Sequence, residues 1–194
     1  MRIASAFAVT PAALVVAISN ERRSRAGPRR VDEVEKLVIR TITGFHKDAN
    51  GDWDAELGCL HSQHVRHRPP FQNRPWVEDS AQRQARVGSP IECPLCDRAE
   101  TPDSLTLLRA ARPWDQDTLP AGLRHSHRIA EGTWGMLRVT EGSVNFRMQT
   151  SPTSPAMDTT LSAGSTQPIP PEAPHEVTIT GPVKLVVEFW GRPQ

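Results

Sequence analysis

The sequence has no tyrosine and few other aromatic residues, whereas glycine and proline are plentiful, with 12 and 18 residues. A chain with so many turn formers and so few large aromatic side chains does not suit long helices, and it predicts short strands joined by turns. Hydrophobic residues make up 37% of the 194 positions, which supports only a modest core. We therefore expect two small domains in place of one large domain.

An excess of charge of one sign is also lacking, because the formal net charge is +1. This balance excludes a global attraction to nucleic acid or to membranes, so any basic surface has to be local. Cysteine is scarce, and the number of cysteines, 3, is odd. A fully paired set of disulfides within the chain is thereby excluded, which predicts a reducing compartment such as the cytoplasm.

Long hydrophobic runs are absent as well. Residues 3–18 are mostly apolar, but serine, threonine and proline interrupt the run, which is too short to cross a bilayer. Several arginines follow at residues 22–30, so one interpretation is a secretory signal. A disordered extension or a start codon placed too far upstream is the alternative, and residues 1–30 are left out of the predicted fold.

The three cysteines lie in two short motifs, Cys59-Leu60-His61 and Cys93-Pro94-Leu95-Cys96. Two ligand pairs on separate turns are the usual way in which a small domain supplies the four tetrahedral ligands of Zn²⁺. The sequence therefore predicts a structural zinc site formed by Cys59, His61, Cys93 and Cys96. The alternatives are a redox dithiol at the Cys-X-X-Cys motif and cysteines that bind no ligand.

Local patterns place these motifs on a small β structure. Residues 36–43 are rich in β-branched side chains and predict a strand, and Asn50-Gly51 predicts the turn of a hairpin. Residues 53–57 alternate as the returning strand, which ends just before Cys59. A short helix is expected within residues 77–87.

The segment between the two cysteine motifs is locally basic. Arg66, Arg68 and Arg74 are candidates to contact phosphates, with Phe71 or Trp76 stacking on bases. A nucleic-acid-binding zinc module is therefore one hypothesis. The alternative is that the same arginines form a solvated face.

Several runs between residues 40 and 97 form a recurring pattern. They include Ile42-Thr43-Gly44-Phe45-His46, Gln63-His64-Val65-Arg66-His67 and Asn73-Arg74-Pro75-Trp76-Val77, besides the two cysteine motifs. With these runs the segment resembles a family of short bacterial proteins of unknown function, which usually has glycine at the position of Leu60. The resemblance implies a zinc-ribbon-like module and supplies no substrate.

The second half shows the short alternation that is typical of strands. Residues 99–117 are predicted to be a linker. Residues 134–140 and 143–149 predict a hairpin that turns at Glu141-Gly142, and further short strands are expected up to residue 190. Residues 118–194 should therefore form a small antiparallel sandwich or barrel.

This half carries Gly132-Thr133-Trp134-Gly135, Glu141-Gly142-Ser143 and the run at residues 170–175. With these residues it resembles the TehB/YeaR-like domain, a cupin-like family associated with tellurite resistance, and the resemblance places His127 and His175 at positions of the family. Part of that family is fused to a methyltransferase. The 194 residues contain no Gly-rich strand-turn-helix for S-adenosylmethionine, so methyl transfer is not expected.

His125 adds a third histidine to these two. His125 and His127, at i and i+2, project from the same face of a strand, and His175 can approach from another strand. The predicted pocket for a second divalent metal consists of these histidines together with Glu131 and Glu188. The alternatives are a metal-free pocket for a small molecule or an oxyanion and a purely structural role.

The sequence thus predicts a mainly β protein, in which a small zinc-ribbon-like domain at residues 31–98 precedes a cupin-like antiparallel sandwich or barrel. Its expected function is the binding of a metal or of a toxic oxyanion such as tellurite, in stress tolerance. The alternative is a small cupin metalloenzyme of the oxygenase or isomerase type. No catalytic residue is assigned, and no membrane partner is expected.

Overall fold

The chain folds into a mainly antiparallel β structure in the computed structural model, which describes residues 38–193. The two interpretations of residues 1–30 lie outside the described residues. In the described part of the chain, no helix is long and apolar enough to cross a membrane. Two sheets, one of four strands and one of six, contain the strands.

The four-stranded sheet comprises β1 (Ile39–Lys47), β2 (Trp53–Leu57), β3 (Ser62–His64) and β4 (Pro90–Glu92), in the spatial order β3-β2-β1-β4. The first residues of β1 alternate between exposed and buried, which is the pattern of a strand with one face on a core. The predicted Asn50-Gly51 turn joins β1 to β2. Gly51 has a φ of +81°, in the left-handed region that favours glycine.

Short helices fill the connections of this sheet. A 3₁₀ turn, Pro75–Val77, leads into helix α1 (Ser80–Gln84), which confirms the helix expected there. The side chain of Asp79 caps α1, because it accepts a hydrogen bond of 2.9 Å from the amide of Gln82. Helix α2 (Pro94–Asp97) follows β4 and carries most of the second cysteine motif.

The six-stranded sheet comprises β5 (Thr106–Ala110), β6 (Trp114–Asp115), β7 (Thr133–Met148), β8 (Met157–Ser162), β9 (Thr166–Ile169) and β10 (His175–Gly191). Strands β7 and β10 pair along almost their whole length and form its centre. Strands β8 and β9 extend the β7 edge, and β5 and β6 extend the β10 edge. Val144, Phe146 and Met148 of β7 share one face and are buried in the core.

The predicted hairpin at Glu141-Gly142 is wrong, because β7 continues through these residues as one strand. Strand β10 likewise runs through Pro182, and the register between the two strands shifts between Ile179 and Val183. Gly142 has a φ of +72°, and a Cβ at this position would lie 2.1 Å from the carbonyl oxygen of Pro182. Gly142 in β7 and Pro182 in β10 therefore mark irregularities that face each other in the two long strands.

The prediction of a linker at residues 99–117 is wrong for two stretches, because β5 and β6 lie within it and pair with β10. All five residues of β5 are exposed. An edge strand that is held by backbone hydrogen bonds, without burying its side chains, leaves no alternation of apolar and polar residues in the sequence. The sequence pattern therefore gave no sign of strand β5.

All described residues fall in one compact unit. Trp134, at the start of β7, is fully buried in the hydrophobic cluster that also contains Leu57, Val77 and the three cysteines. The amide of Gly132 also donates a hydrogen bond of 2.9 Å to the carbonyl oxygen of Gly58. The domain boundaries proposed near residues 98 and 118 stay a prediction.

Candidate metal centre and cavity

The two cysteine motifs meet in one buried cluster. Cys59 and His61 lie in the turn between β2 and β3, Cys93 is the N-cap of α2, and Cys96 lies within α2. The four side chains belong to residues that are at most 3% exposed. Each offers one ligand atom, and these four atoms all lie within 4.8 Å of one another.

The distances in this cluster are those of a tetrahedron. His61 Nδ1 lies 3.4 Å from the Sγ of Cys59, 3.4 Å from that of Cys93 and 3.6 Å from that of Cys96. The Sγ atoms of Cys59 and Cys93 are 3.8 Å apart. Zinc with Zn–S bonds of about 2.3 Å and a Zn–N bond of about 2.0 Å has tetrahedral edges of about 3.8 Å between sulfurs and about 3.5 Å between nitrogen and sulfur. The residues present therefore fit one tetrahedral ion.

Contacts within the cluster shift the pKa values of its members. Burial lowers the pKa of His61. Hydrogen bonds to Cys59 and Cys93 and the charges of these cysteines raise it by more, so the pKa of His61 is raised to about 9. Hydrogen bonds from Cys59 and Cys96 hold the pKa of Cys93 far below its usual range. The contact with Cys59 raises the pKa of Cys96, because the cluster resists a second thiolate. A divalent cation would relieve this repulsion.

Arg40, which the sequence analysis missed, reaches the cluster from β1. Its Nε donates a hydrogen bond to Cys96 Sγ (3.4 Å), its Nη2 donates to the carbonyl oxygen of Pro171 (2.6 Å), and its Nη1 pairs with a carboxylate oxygen of Glu172 (3.0 Å). A buried guanidinium that donates to a thiolate stabilises the negative charge of the ligand set. Its signal in the sequence is a charged residue that alternates with the apolar residues Val38 and Ile42, on the face that points inward.

Trp134, also missed, covers the cluster from the second half of the chain. Its Nε1 donates a hydrogen bond of 2.8 Å to the carbonyl oxygen of Cys59. Its ring meets the His61 ring edge-on, with centroids 5.5 Å apart. On the other side, the amide of Gly58 donates to the carbonyl oxygen of Thr41 in β1 (2.9 Å). The first ligand turn is thus held between β1 and the start of β7.

Leu60, between the first two candidate ligands, has a φ of +71°. This left-handed conformation costs a residue with a Cβ about 1 kcal/mol. We expect Leu60→Gly to be more stable than Leu60→Ala by about 1 kcal/mol, because only glycine relieves the strain while both variants lose the leucine side chain. Denaturant unfolding of the two variants measures the difference.

The matched control for Leu60 is the pair Ser62→Gly and Ser62→Ala in β3, where alanine should be the more stable, by about 0.5–1 kcal/mol. Opposite orders at the two positions would support the strain at Leu60. The same order at both positions would contradict it.

The candidate partner surface is less basic than the sequence indicates. Arg66 Nε and Arg68 Nη2 lie 2.8 Å and 2.7 Å from the same carboxylate oxygen of Asp52. Arg74 is exposed, and its backbone amide donates a hydrogen bond of 2.9 Å to His67 Nδ1. Because an acidic partner lowers the positive charge that would attract phosphates, the geometry does not favour the nucleic-acid hypothesis.

In the second half, the structure brings together two of the three predicted histidines. His127 and His175 exchange backbone hydrogen bonds of 3.0 Å in both directions, and their ring centroids lie 4.1 Å apart. The Nδ1 of His127 lies 2.9 Å from the carbonyl oxygen of His125, and the Nδ1 of His175 lies 2.8 Å from that of Ala173. Since a carbonyl oxygen only accepts, each ring donates from Nδ1, and a neutral ring then keeps a lone pair on Nε2.

Both imidazole rings line a cavity of about 490 Å³. Burial lowers the pKa of His175, to about 4; the smaller effects are the bond to Ala173, which raises it, and the charge of His127, which lowers it. His175 is therefore neutral near pH 7. Most of the wall is apolar, and its side chains include Leu119, Leu137, Phe146, Ile169, Val177 and Leu185.

The other three predicted pocket residues do not join this pair, which corrects the five-residue site. His125 is exposed, and it contributes its carbonyl oxygen. Glu131 lies over Gly58, where its carboxylate occupies the space of a Cβ. Glu188 accepts a hydrogen bond of 3.2 Å from Trp190 Nε1.

The alternation along β10 explains the place of Glu188. Leu185, Val187 and Phe189 line the cavity, so Glu188 projects from the opposite face. The sequence shows that Leu185, Val187 and Phe189 alternate with Glu188, but it does not show which of the two faces meets the cavity. In the part of the chain that the structure describes, the groups of three or more metal-ligating side chains include neither His127 nor His175.

Comparison with known proteins follows the same division of the chain. Residues 43–100 match the model of a family described as protein of unknown function (DUF3565), and residues 109–187 match the TehB-like domain. No curated protein matches this chain. TehB from Haemophilus influenzae is 23% identical with a TM-score of 0.42, over 46% of this chain and 32% of TehB. A protein from E. coli strain K12 is 24% identical with a TM-score of 0.43, over 49% of this chain and 98% of that protein.

The two resemblances stated from the sequence are confirmed by the family matches. The chain spans about a third of the length of the TehB structure, at 32%. Residues 101–108 lie between the two matched segments. The chain therefore joins a segment that matches the DUF3565 family to one that matches the TehB-like domain.

Proposed function

We propose that Cys59, His61, Cys93 and Cys96 bind one structural zinc ion. The observation that carries this proposal is the set of distances of 3.4–3.8 Å among buried ligand atoms. When bound, zinc would have four protein ligands and no open position, which is the form that stabilises a fold and does not catalyse. Arg40 and Trp134 would orient the ligands from outside.

Burial distinguishes zinc binding from a redox role. A reactive dithiol is partly exposed so that its substrate can reach it, whereas Cys93 and Cys96 are 2% and 0% exposed. A third thiol and an imidazole also contact them, and a dithiol needs neither. Zinc binding requires reduced thiols, which supports a role in the cytoplasm.

For the second half, the function that the geometry supports best is the binding of a small molecule. The cavity of about 490 Å³ has the size and the apolar wall of a ligand pocket. The match to the TehB-like domain supports a role in stress or tellurite tolerance, since that family is associated with tellurite resistance. The metalloenzyme alternative needs a third ligand beside His127 and His175, and Glu188 projects from the other face.

Elemental analysis of the purified full chain tests the metal centre. We expect one zinc per chain that survives dialysis at neutral pH, and loss of folded structure when a strong chelator removes it. The physical reason is that a structural zinc contributes on the order of 10 kcal/mol to folding. A chain that stays folded and metal-free in chelator would contradict the proposal, and two metals per chain would restore a second metal site.

A further inference from the structure

We propose that the cavity beside His127 and His175 binds a neutral, mostly apolar organic molecule that donates a hydrogen bond to their Nε2 atoms. This inference rests on the proposed small-molecule function and names the class of its ligand. It differs from the oxyanion and metal predicted from the sequence, because the structure fixes which ring nitrogens are free.

The tautomers of both histidines determine what they can bind. Each Nδ1 donates to a backbone carbonyl oxygen, at 2.9 Å for His127 and 2.8 Å for His175. A neutral ring then has no second donor, and its Nε2 only accepts. The cavity therefore presents two acceptors on adjacent rings, whose centroids are 4.1 Å apart.

Burial keeps this arrangement in place near neutral pH. His175 is 4% exposed, and burial lowers its pKa, to about 4. A lowered pKa means that the ring takes up a proton only in acid, below about pH 4. Near pH 7 the lone pair of His175 is thus available to a ligand.

The wall sets the rest of the ligand. Most side chains around the two rings are aliphatic or aromatic, among them Leu137, Phe146 and Val177. A volume of about 490 Å³ is far larger than a single ion needs, and it accepts a molecule with an apolar body. A buried acceptor without a donor is unfavourable, so the cavity should prefer molecules that supply one.

Two other ligand classes fit less well. A fully deprotonated oxyanion offers only further acceptors, and two neutral rings with Nδ1 already bound to carbonyl oxygens have no donor for it. A divalent transition metal usually takes three or more protein ligands. In residues 38–193, neither ring belongs to a group of three or more metal-ligating side chains.

Isothermal titration calorimetry of the full, zinc-loaded chain with two matched probes tests whether the ligand must donate a hydrogen bond. 2-Naphthol and 2-methoxynaphthalene have the same apolar body, but only the first can donate a hydrogen bond. We expect 2-naphthol to bind about ten- to a hundredfold more tightly, because its hydroxyl donates to one of the acceptors whereas the methoxy compound donates to neither. Tellurite and Ni²⁺ are titrated in parallel, and zinc content is measured on the same sample.

Two variants locate the effect. His127→Phe keeps a ring in the cavity but removes one of the two acceptors, so it should weaken binding of 2-naphthol more than binding of 2-methoxynaphthalene and narrow the difference between the two affinities. His64→Phe, which replaces a half-exposed histidine in β3, outside the residues that line the cavity, should change neither affinity. If His127→Phe does not fold, the imidazole ¹⁵N signals of the unmodified chain give the same answer, since 2-naphthol should shift the Nε2 signals.

Each outcome separates the inference from the function on which it rests. Equal binding of the two naphthalenes would overturn the donor requirement and leave the small-molecule function standing. Binding of neither would overturn both, while one zinc per chain would still support the metal centre. Binding of tellurite or of Ni²⁺ that His127→Phe abolishes would overturn the ligand class.

Discussion

Replacing His61 with alanine is expected to release zinc and to unfold the four-stranded sheet. A structural zinc supplies on the order of 10 kcal/mol, so one of four ligands accounts for about 3 kcal/mol or more. The loss also leaves three buried cysteines without the imidazole that contacts them, and the pKa of Cys96 is raised by its contact with Cys59. Zinc content after dialysis against a competing chelator measures the first effect, and circular dichroism during thermal unfolding measures the second.

The control variant is His64→Ala, only three residues further along the chain. The imidazole of His64 is about half exposed, and its Nδ1 lies 2.5 Å from Oδ1 of Asp54, away from the thiols. Because this contact does not involve the four candidate ligands, His64→Ala should keep its zinc. Equal zinc loss in the two variants, or full zinc retention in His61→Ala, would contradict the assigned ligand set.

The meeting of Cys59, His61, Cys93 and Cys96 could be predicted from the sequence because it depends largely on short spacings. Cys59 with His61, and Cys93 with Cys96, each occupy one local turn, and only the meeting of the two turns needs the fold. The contacts that surround the ligands are different in kind. Arg40 contacts a residue 56 positions away, and Trp134 one that is 75 positions away, so no local pattern relates the partners.

Of the two turn signals, only one predicted a reversal of the chain correctly, because the outcome depends on which strands pair. Asn50-Gly51 does reverse the chain between β1 and β2, because the two strands on either side pair with each other. Glu141-Gly142 looks similar, yet the strands on either side of it both pair with β10, and the chain continues. A glycine with positive φ shows where the backbone deviates, but the partner strand decides whether that deviation is a turn or a bulge.

The sequence predicted only part of the cavity. The resemblance placed His127 and His175, and the structure brings their rings together. The face of β10 that lines the cavity, the exposure of His125 and the acceptor character of both rings depend on tertiary contacts. Those contacts reverse part of the expected chemistry, because they turn a candidate anion pocket into one that needs a donor.

Substituting Trp134 is expected to have the second large effect, because its side chain completes a core in the other half of the chain. Trp134→Ala should lower the free energy of unfolding by about 3–5 kcal/mol, the usual range for emptying a buried tryptophan site. Trp134→Phe should cost less, about 1–3 kcal/mol, since it keeps most of the packing but leaves the Cys59 carbonyl oxygen without its donor. Denaturant unfolding gives these values.

Zinc release from the same variants tests whether this contact supports the metal centre. The Nε1 of Trp134 holds the backbone of a ligand, so both substitutions should speed the transfer of zinc to a chelator, with alanine the faster. Trp114→Phe is the control, because Trp114 lies in β6 and packs against the hydrophobic core that does not contain the three cysteines. If the two halves fold independently, as the sequence predicts, zinc release from Trp134→Ala will equal that from the control. Faster release would show that the TehB-like half stabilises the metal centre directly.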